Sequence, residues 1–149
     1  DSIISRIRGV MWCGDGSRAL DASEALLDEL KKACSRAEDV GPDAGHGGNA
    51  QTAAGSASQE ILRIATPIGA CDCAAGWFRD LFVLSLTGDS ELVINRDYLE
   101  ALQEDVGRGS PALFGRWTVR VMQTARALEA NANARLAMDD LMLCLALAR

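Results

Sequence analysis

Chemistry in this chain would have to come from its cysteines, its carboxylates or its histidine, and their spacing leaves each without a site. The sole histidine, His46, stands in a Gly-rich stretch, so Ser-His-Asp and Cys-His arrangements lack the base they depend on. Cys71 and Cys73 are separated by one residue, and no second Cys/His pair follows at a distance that would close a zinc tetrahedron. Asp139 and Asp140 are adjacent in a helical stretch; neighbours on a helix point about 100° apart, so the two carboxylates do not converge on one ion. Gly14-Asp-Gly16 lacks the spacing and the lysine of a phosphate-cradling loop. The sequence therefore predicts no catalytic, cofactor-binding or metal residues, no nucleotide hydrolysis and no stoichiometric zinc.

Composition restricts the remaining classes. The 149 residues are 48% apolar but only 5% aromatic, with Ala and Leu dominant, a mixture that favours packed helices over sheet. A net charge of −6 argues against a dedicated nucleic-acid surface, which needs clustered Lys and Arg to displace counterions. Arginines 108, 116, 120, 126 and 135 nevertheless crowd the C-terminal half. They read first as a solvated or ion-paired face, then as a subunit contact. The five cysteines (13, 34, 71, 73 and 144) are odd in number and scattered, which points to a reducing cytosol rather than a disulfide framework. No apolar run reaches membrane-spanning length and no signal peptide opens the chain. A first residue Asp1 in place of Met points to a fragment of something longer.

The elements that would position any site follow from apolar spacing. Ile3, Ile4, Ile7, Val10 and Met11 form one stripe of a first helix, ended by Cys13-Gly-Asp-Gly-Ser17. Asp21 and Glu24 make a D-x-x-E start for a second helix with Leu26, Leu27, Leu30 and Cys34 inward. Residues 38–58 are mostly Gly, Ala, Ser, Asp and Asn with a Pro; they bury too little apolar area to offset ordering and read as a mobile, protease-sensitive loop. A third helix begins near Ser58 with Ile61, Leu62 and Ile64. Thr66-Pro67 then either breaks it or caps and starts a new one running to about Thr87, with Gly88 as its stop. Along that helix Trp77, Leu81 and Leu84 form one seam, and Phe78, Phe82 and Leu86 the next. Trp77 and Phe78 could stack on bases, but their helical spacing favours core packing. Arg79 and Asp80, adjacent on a helix, are not expected to face one another. Arg79 would pair with an acid such as Glu129, with helix C-terminal carbonyls, or across to another subunit.

Leu92-Val-Ile94 is short and extended at most. Asp97 and Glu100 repeat the D-x-x-E start before a helix with Leu99, Leu102 and Val106 inward. Ser110-Pro111 starts the next, whose stripe is Phe114, Trp117, Val121, Ala125 and Leu128. Asn131 ends it in a left-handed turn, and Asn133 caps the last helix. The expected fold is all-α, six or seven helices in a single domain spanning 1–149 with no internal repeat.

The final helix is apolar around most of its circumference: Leu136, Met138, Leu141, Met142, Leu143, Leu145 and Leu147 are interrupted by Asp139 and Asp140. Such a helix is covered from more than one side, either wholly within its own domain or partly by a neighbouring chain. The helical angles place Leu141 and Leu145 in the core, and Met138 and Met142 on an adaptable edge facing a partner.

Trp77-Phe-Arg-Asp-Leu-Phe-Val-Leu-Ser-Leu-Thr-Gly88, then Leu92-Val-Ile-Asn-Arg-Asp97, then Thr124-Ala-Arg-Ala-Leu-Glu-Ala-Asn-Ala-Asn-Ala-Arg-Leu-Ala137 and the apolar tail occur in that order. The series resembles the C-terminal domain of the bacterial DNA polymerase III clamp-loader subunit delta prime, over about residues 74–147. Its specificity lies in order and spacing, because each piece alone is weak. The Gly-rich middle departs from the family pattern, and residues 1–73 match only in helical character. The resemblance implies a collar-type helical domain that holds the pentameric loader of the sliding clamp together. It also implies other clamp-loader subunits (tau/gamma and delta) as partners, no chemistry of its own, and ATPase-like modules in N-terminal domains that this chain lacks. Met138, Met142, Arg120 and Arg135 are the expected subunit-interface residues. The collar of the tau/gamma motor subunit is the alternative within the family. From other classes come a helical nucleic-acid-binding regulator, which lacks a short helix-turn-helix signature, and a helical enzyme or ligand carrier.

Overall fold

The computed structural model describes residues 2–39 and 65–147. These form six α-helices, and no strand occurs among the described residues. The expected 38–58 loop and the helix expected from Ser58 lie almost wholly outside them. Helix α1 (Ser2–Met11) turns Ile7, Val10 and Met11 into the core and ends where Gly14 adopts a φ of 63°.

Helix α2 (Gly16–Asp39) begins earlier than the D-x-x-E signal at Asp21 and Glu24 predicts. Asp15, the first side chain after the Gly14 turn able to accept, takes the Ser17 N–H at 2.9 Å. With the cap already supplied, Asp21 and Glu24 fall mid-helix on the exposed face. The buried stripe accordingly extends back from Leu26, Leu27 and Leu30 to Ala19 and Ser23.

Helix α3 (Pro67–Thr87) has the ends its sequence predicts. Thr66 accepts the Gly69 N–H at 3.0 Å, Pro67 occupies the first turn, and Gly88 at φ 67° closes it by donating to the Leu84 carbonyl. Two short 3₁₀ turns, Ser90–Leu92 and Arg96–Tyr98, then lead into α4 (Leu99–Val106). Between those turns only Val93 points inward; Leu92 and Ile94 are exposed. The second D-x-x-E start is also corrected. No side chain caps α4, because the preceding 3₁₀ turn already directs the chain into it.

Helix α5 (Pro111–Glu129) is capped by Ser110 as expected, the Leu113 N–H reaching its hydroxyl at 3.3 Å. Its exit uses Asn131 at φ 63°. The Asn131 N–H donates to Leu128 O and the Ala132 N–H to Ala127 O, the paired bonds of a left-handed helix stop. Asn133 then accepts the Leu136 N–H at 3.1 Å to open α6 (Ala134–Leu147). The Asn-x-Asn spacing thus ends one helix and begins the next within three residues.

Helices α3 and α5 form the centre. Phe78 meets Trp117 with ring centroids 5.4 Å apart, and Phe82 approaches Gly115, so the two helices run antiparallel. Trp12 and Phe114 complete the aromatic cluster around Trp117 at 5.6 and 6.0 Å. Helix α6 packs against α1, α2 and α5 at once.

One turn is closed tightly enough to test. A Cβ on Gly109 would lie 2.5 Å from Phe114 Cζ and 2.7 Å from Cε1, and Phe114 is fully buried. Gly109→Ala should therefore cost about 1–3 kcal/mol by overpacking. A urea titration showing an unchanged midpoint would disprove this.

Candidate assembly surface

The Trp77-Phe-Arg-Asp80 block sits mid-way along α3, with Trp77, Phe78 and Asp80 all buried. Asp80 collects four donors. Its Oδ1 accepts from Arg79 Nη1 at 2.7 Å and the Ile94 N–H at 3.1 Å; its Oδ2 accepts from the Asn95 N–H at 2.8 Å and Asn95 Nδ2 at 2.7 Å. Burial by itself would raise the Asp80 pKa. The hydrogen bonds from Asn95, Arg79 and Ile94 outweigh it and hold the carboxyl below its ordinary value. Arg79 also donates to the Leu92 carbonyl at 2.7 Å. The expectation that Arg79 and Asp80 cannot meet is thereby corrected. The Arg79 side chain is long enough to fold back toward the segment that Asp80 binds, so both side chains grip residues 92–95. Among the described residues Arg79 makes no ion pair with Glu129.

A second buried carboxylate, Asp105 on α4, was not legible in the sequence. Arg8 Nε and Nη2 donate to its two oxygens at 2.7 and 3.0 Å, and Trp12 Nε1 donates at 3.3 Å. The Arg8 guanidinium lies 5.7 Å over the Trp77 ring. These partners are too far apart in the chain for any local spacing to reveal them.

None of the five cysteines is in a disulfide. Cys71 is buried, and burial first, with the Asp72 charge second, pushes its thiol up to about 12, which keeps it an unreactive thiol at neutral pH. Among the described residues no group of three or more His, Cys, Asp or Glu could hold a metal ion. No helix of the described residues is long and apolar enough to cross a membrane. Asp139 and Asp140 diverge as their helical angle requires: Asp139 pairs with Arg135 at 3.1 Å, and Asp140 with Arg120.

The four residues expected at a subunit interface are placed as follows. Met138 and Met142 are 1% and 0% exposed, as deep as Leu141 and Leu145. Their expected outward edge is corrected, because three helices enclose α6 and leave no free side there. The exposed apolar residues of α6 are instead Leu136 and Leu147. Arg120 is committed to Asp140, and Arg135 to Asp139 and Glu24.

Exposed apolar side chains occur on several elements, α3 and α5 among them. Phe82 and Leu86 stand out from α3, and Val119 and Met122 from α5. An open groove of about 440 Å³ runs beside α5, lined by Gly115, Arg116, Trp117, Val119, Arg120 and Gln123 with Cys144 of α6. Arg116 also borders a cleft of about 400 Å³ that includes Trp12, Arg108 and Ser110. Compared with known proteins, the chain matches no family model, no curated protein and no solved structure.

Proposed function

We propose that this chain is a collar-type assembly domain of a bacterial replicative clamp loader, most similar to that of subunit delta prime. It would act in the reducing cytosol, without chemistry or cofactor of its own, and would help hold the pentamer that loads the sliding clamp on DNA. The observation that carries the reading is that its separate sequence blocks each serve a structural role, two of them by direct bonding to one another. Asp80 of Trp77-Phe-Arg-Asp80 binds the backbone of the Leu92–Asn95 segment directly, while Asn131 and Asn133 make the α5–α6 corner. Residues that resemble the family in order and spacing thus serve structural roles, as an assembly domain requires. The exposed apolar residues on α3 and α5 supply a surface for neighbours.

Co-expression with the tau/gamma and delta subunits of the same genome tests this. The chain should co-elute with them on size exclusion as one complex. A chain that elutes alone while tau/gamma and delta associate with one another would end the reading. Replacing delta prime and replacing one tau/gamma copy are separated by the same experiment, since only the former leaves the number of tau/gamma subunits per complex unchanged.

A further inference from the structure

Helix α5 carries an exposed stripe of a kind that the rest of this acidic chain does not lead one to expect. From Pro111 to Leu128 it contains Arg116, Arg120 and Arg126 and no acidic residue, in a protein of net charge −6. Arg120 is neutralised by Asp140. Arg116 and Arg126 are exposed and make no ion pair among the described residues. They are separated by about 15 Å of helix rise and about 80° of rotation, and Val119 falls between them in both senses. Val119 is 54% exposed, Met122 beside it is 45% exposed, and Val119 forms a wall of the 440 Å³ groove. The stripe therefore carries Val119 and the exposed Gln123 between its two cationic ends, with Met122 on its flank.

We propose that this face of α5 docks an acidic amphipathic helix of a partner protein, with an apolar side chain seated over Val119 and Met122 and two carboxylates about ten residues apart on Arg116 and Arg126. In naming the occupant as a helix of an adjoining subunit, the proposal rests on the assembly reading; the recognition chemistry rests on α5 alone. Charge complementarity selects the occupant. Arginine forks pair two-pronged with carboxylates, and an apolar side chain between charged ends matches the helix-in-groove mode of recognition. Nucleic acid fits poorly, because two unpaired guanidiniums with a valine and a glutamine between them displace few counterions.

The probe is a synthetic helical peptide of about 18 residues with Glu at two positions ten apart and Leu between them, titrated against the fluorescently labelled chain. The controls are the same peptide with Lys for Glu and a single-stranded DNA oligonucleotide. The Glu peptide should bind, and Arg116→Glu/Arg126→Glu should weaken it at least tenfold while gaining affinity for the Lys peptide. Val119→Asp should abolish binding of the Glu peptide without altering the circular dichroism melt, since that side chain is exposed. Equal binding of the Glu peptide by the wild type and the double variant overturns the proposal, as does no binding at all. Salt-sensitive DNA binding lost in the same double variant overturns it in favour of a nucleic-acid surface. Co-elution with the tau/gamma and delta subunits is scored separately, so failure of the assembly reading is distinguishable from failure of the docking face.

Discussion

Asp80→Ala should destabilise the chain by about 1–3 kcal/mol, the range for leaving hydrogen-bond donors of a part-buried site without their acceptor, because the half-exposed Arg79 can turn to water once its partner is gone. The substitution removes the acceptor of the Ile94 and Asn95 N–H groups and of the Asn95 amide, and because Ile94 is exposed and Asn95 half-buried, water replaces part of what is lost. Amide exchange at residues 94 and 95 should rise before that of α3 itself, because the 3₁₀ segment loses its anchor first. The acid dependence has a definite sign. The folded carboxyl is held below its ordinary value, so its stabilisation is complete above the unfolded pKa of about 3.9 and disappears as pH falls through the folded value. Urea titrations of wild type and Asp80→Asn should therefore differ most near pH 7 and converge as pH drops below about 4. A gap that stays constant across that interval would show that the carboxyl's charge does not stabilise the fold.

Met138→Ala and Met142→Ala should each cost about 2–5 kcal/mol, as much as Leu141→Ala, because all three side chains are 2% exposed or less. At roughly 2–4 °C per kcal/mol for a chain of this size, each should lower the melting temperature by several degrees. Leu136→Ala and Leu147→Ala, at 68% and 60% exposure, should stay within about 0.5 kcal/mol of wild type. Thermal melts of the five variants decide the matter. If the methionine variants melt with the wild type, α6 does not sit in the core described above. If Leu136→Ala is as damaging as Leu141→Ala, its exposed position is incorrect.

Placing Met138, Leu141, Met142 and Leu145 in the core moves the assembly question to other helices. A partner reaching this domain meets Phe82, Leu86, Val119 and Met122, and it meets guanidiniums that internal carboxylates have not already claimed. Arg120 and Arg135 remain at the surface, but each would have to leave an internal pair to serve a neighbour.

Sequence alone determined what depends on a few consecutive residues. Thr66-Pro67, Gly88, Ser110-Pro111, Asn131 and Asn133 set the ends of three helices, because capping and left-handed turns are satisfied by side chains within one turn of the chain. The apolar stripes of α1 and α5 and the Trp77–Leu81–Leu84 seam of α3 were legible for the same reason, whereas of the Phe78–Phe82–Leu86 seam only Phe78 is buried. Local signals misled where two competed: Asp15 took the cap that Asp21 also offered, and a 3₁₀ turn took the entry to α4. Tertiary structure alone decided which side of an all-round apolar helix is covered. The spacing of Met138, Leu141, Met142 and Leu145 is the same whether three helices or one surround α6. Only the packing of α1, α2 and α5 makes all four core. It likewise brought Arg8 and Trp12 to Asp105, and residues 94 and 95 to Asp80. A buried carboxylate finds its donors wherever the folded chain places them, and no periodicity in the sequence records that distance.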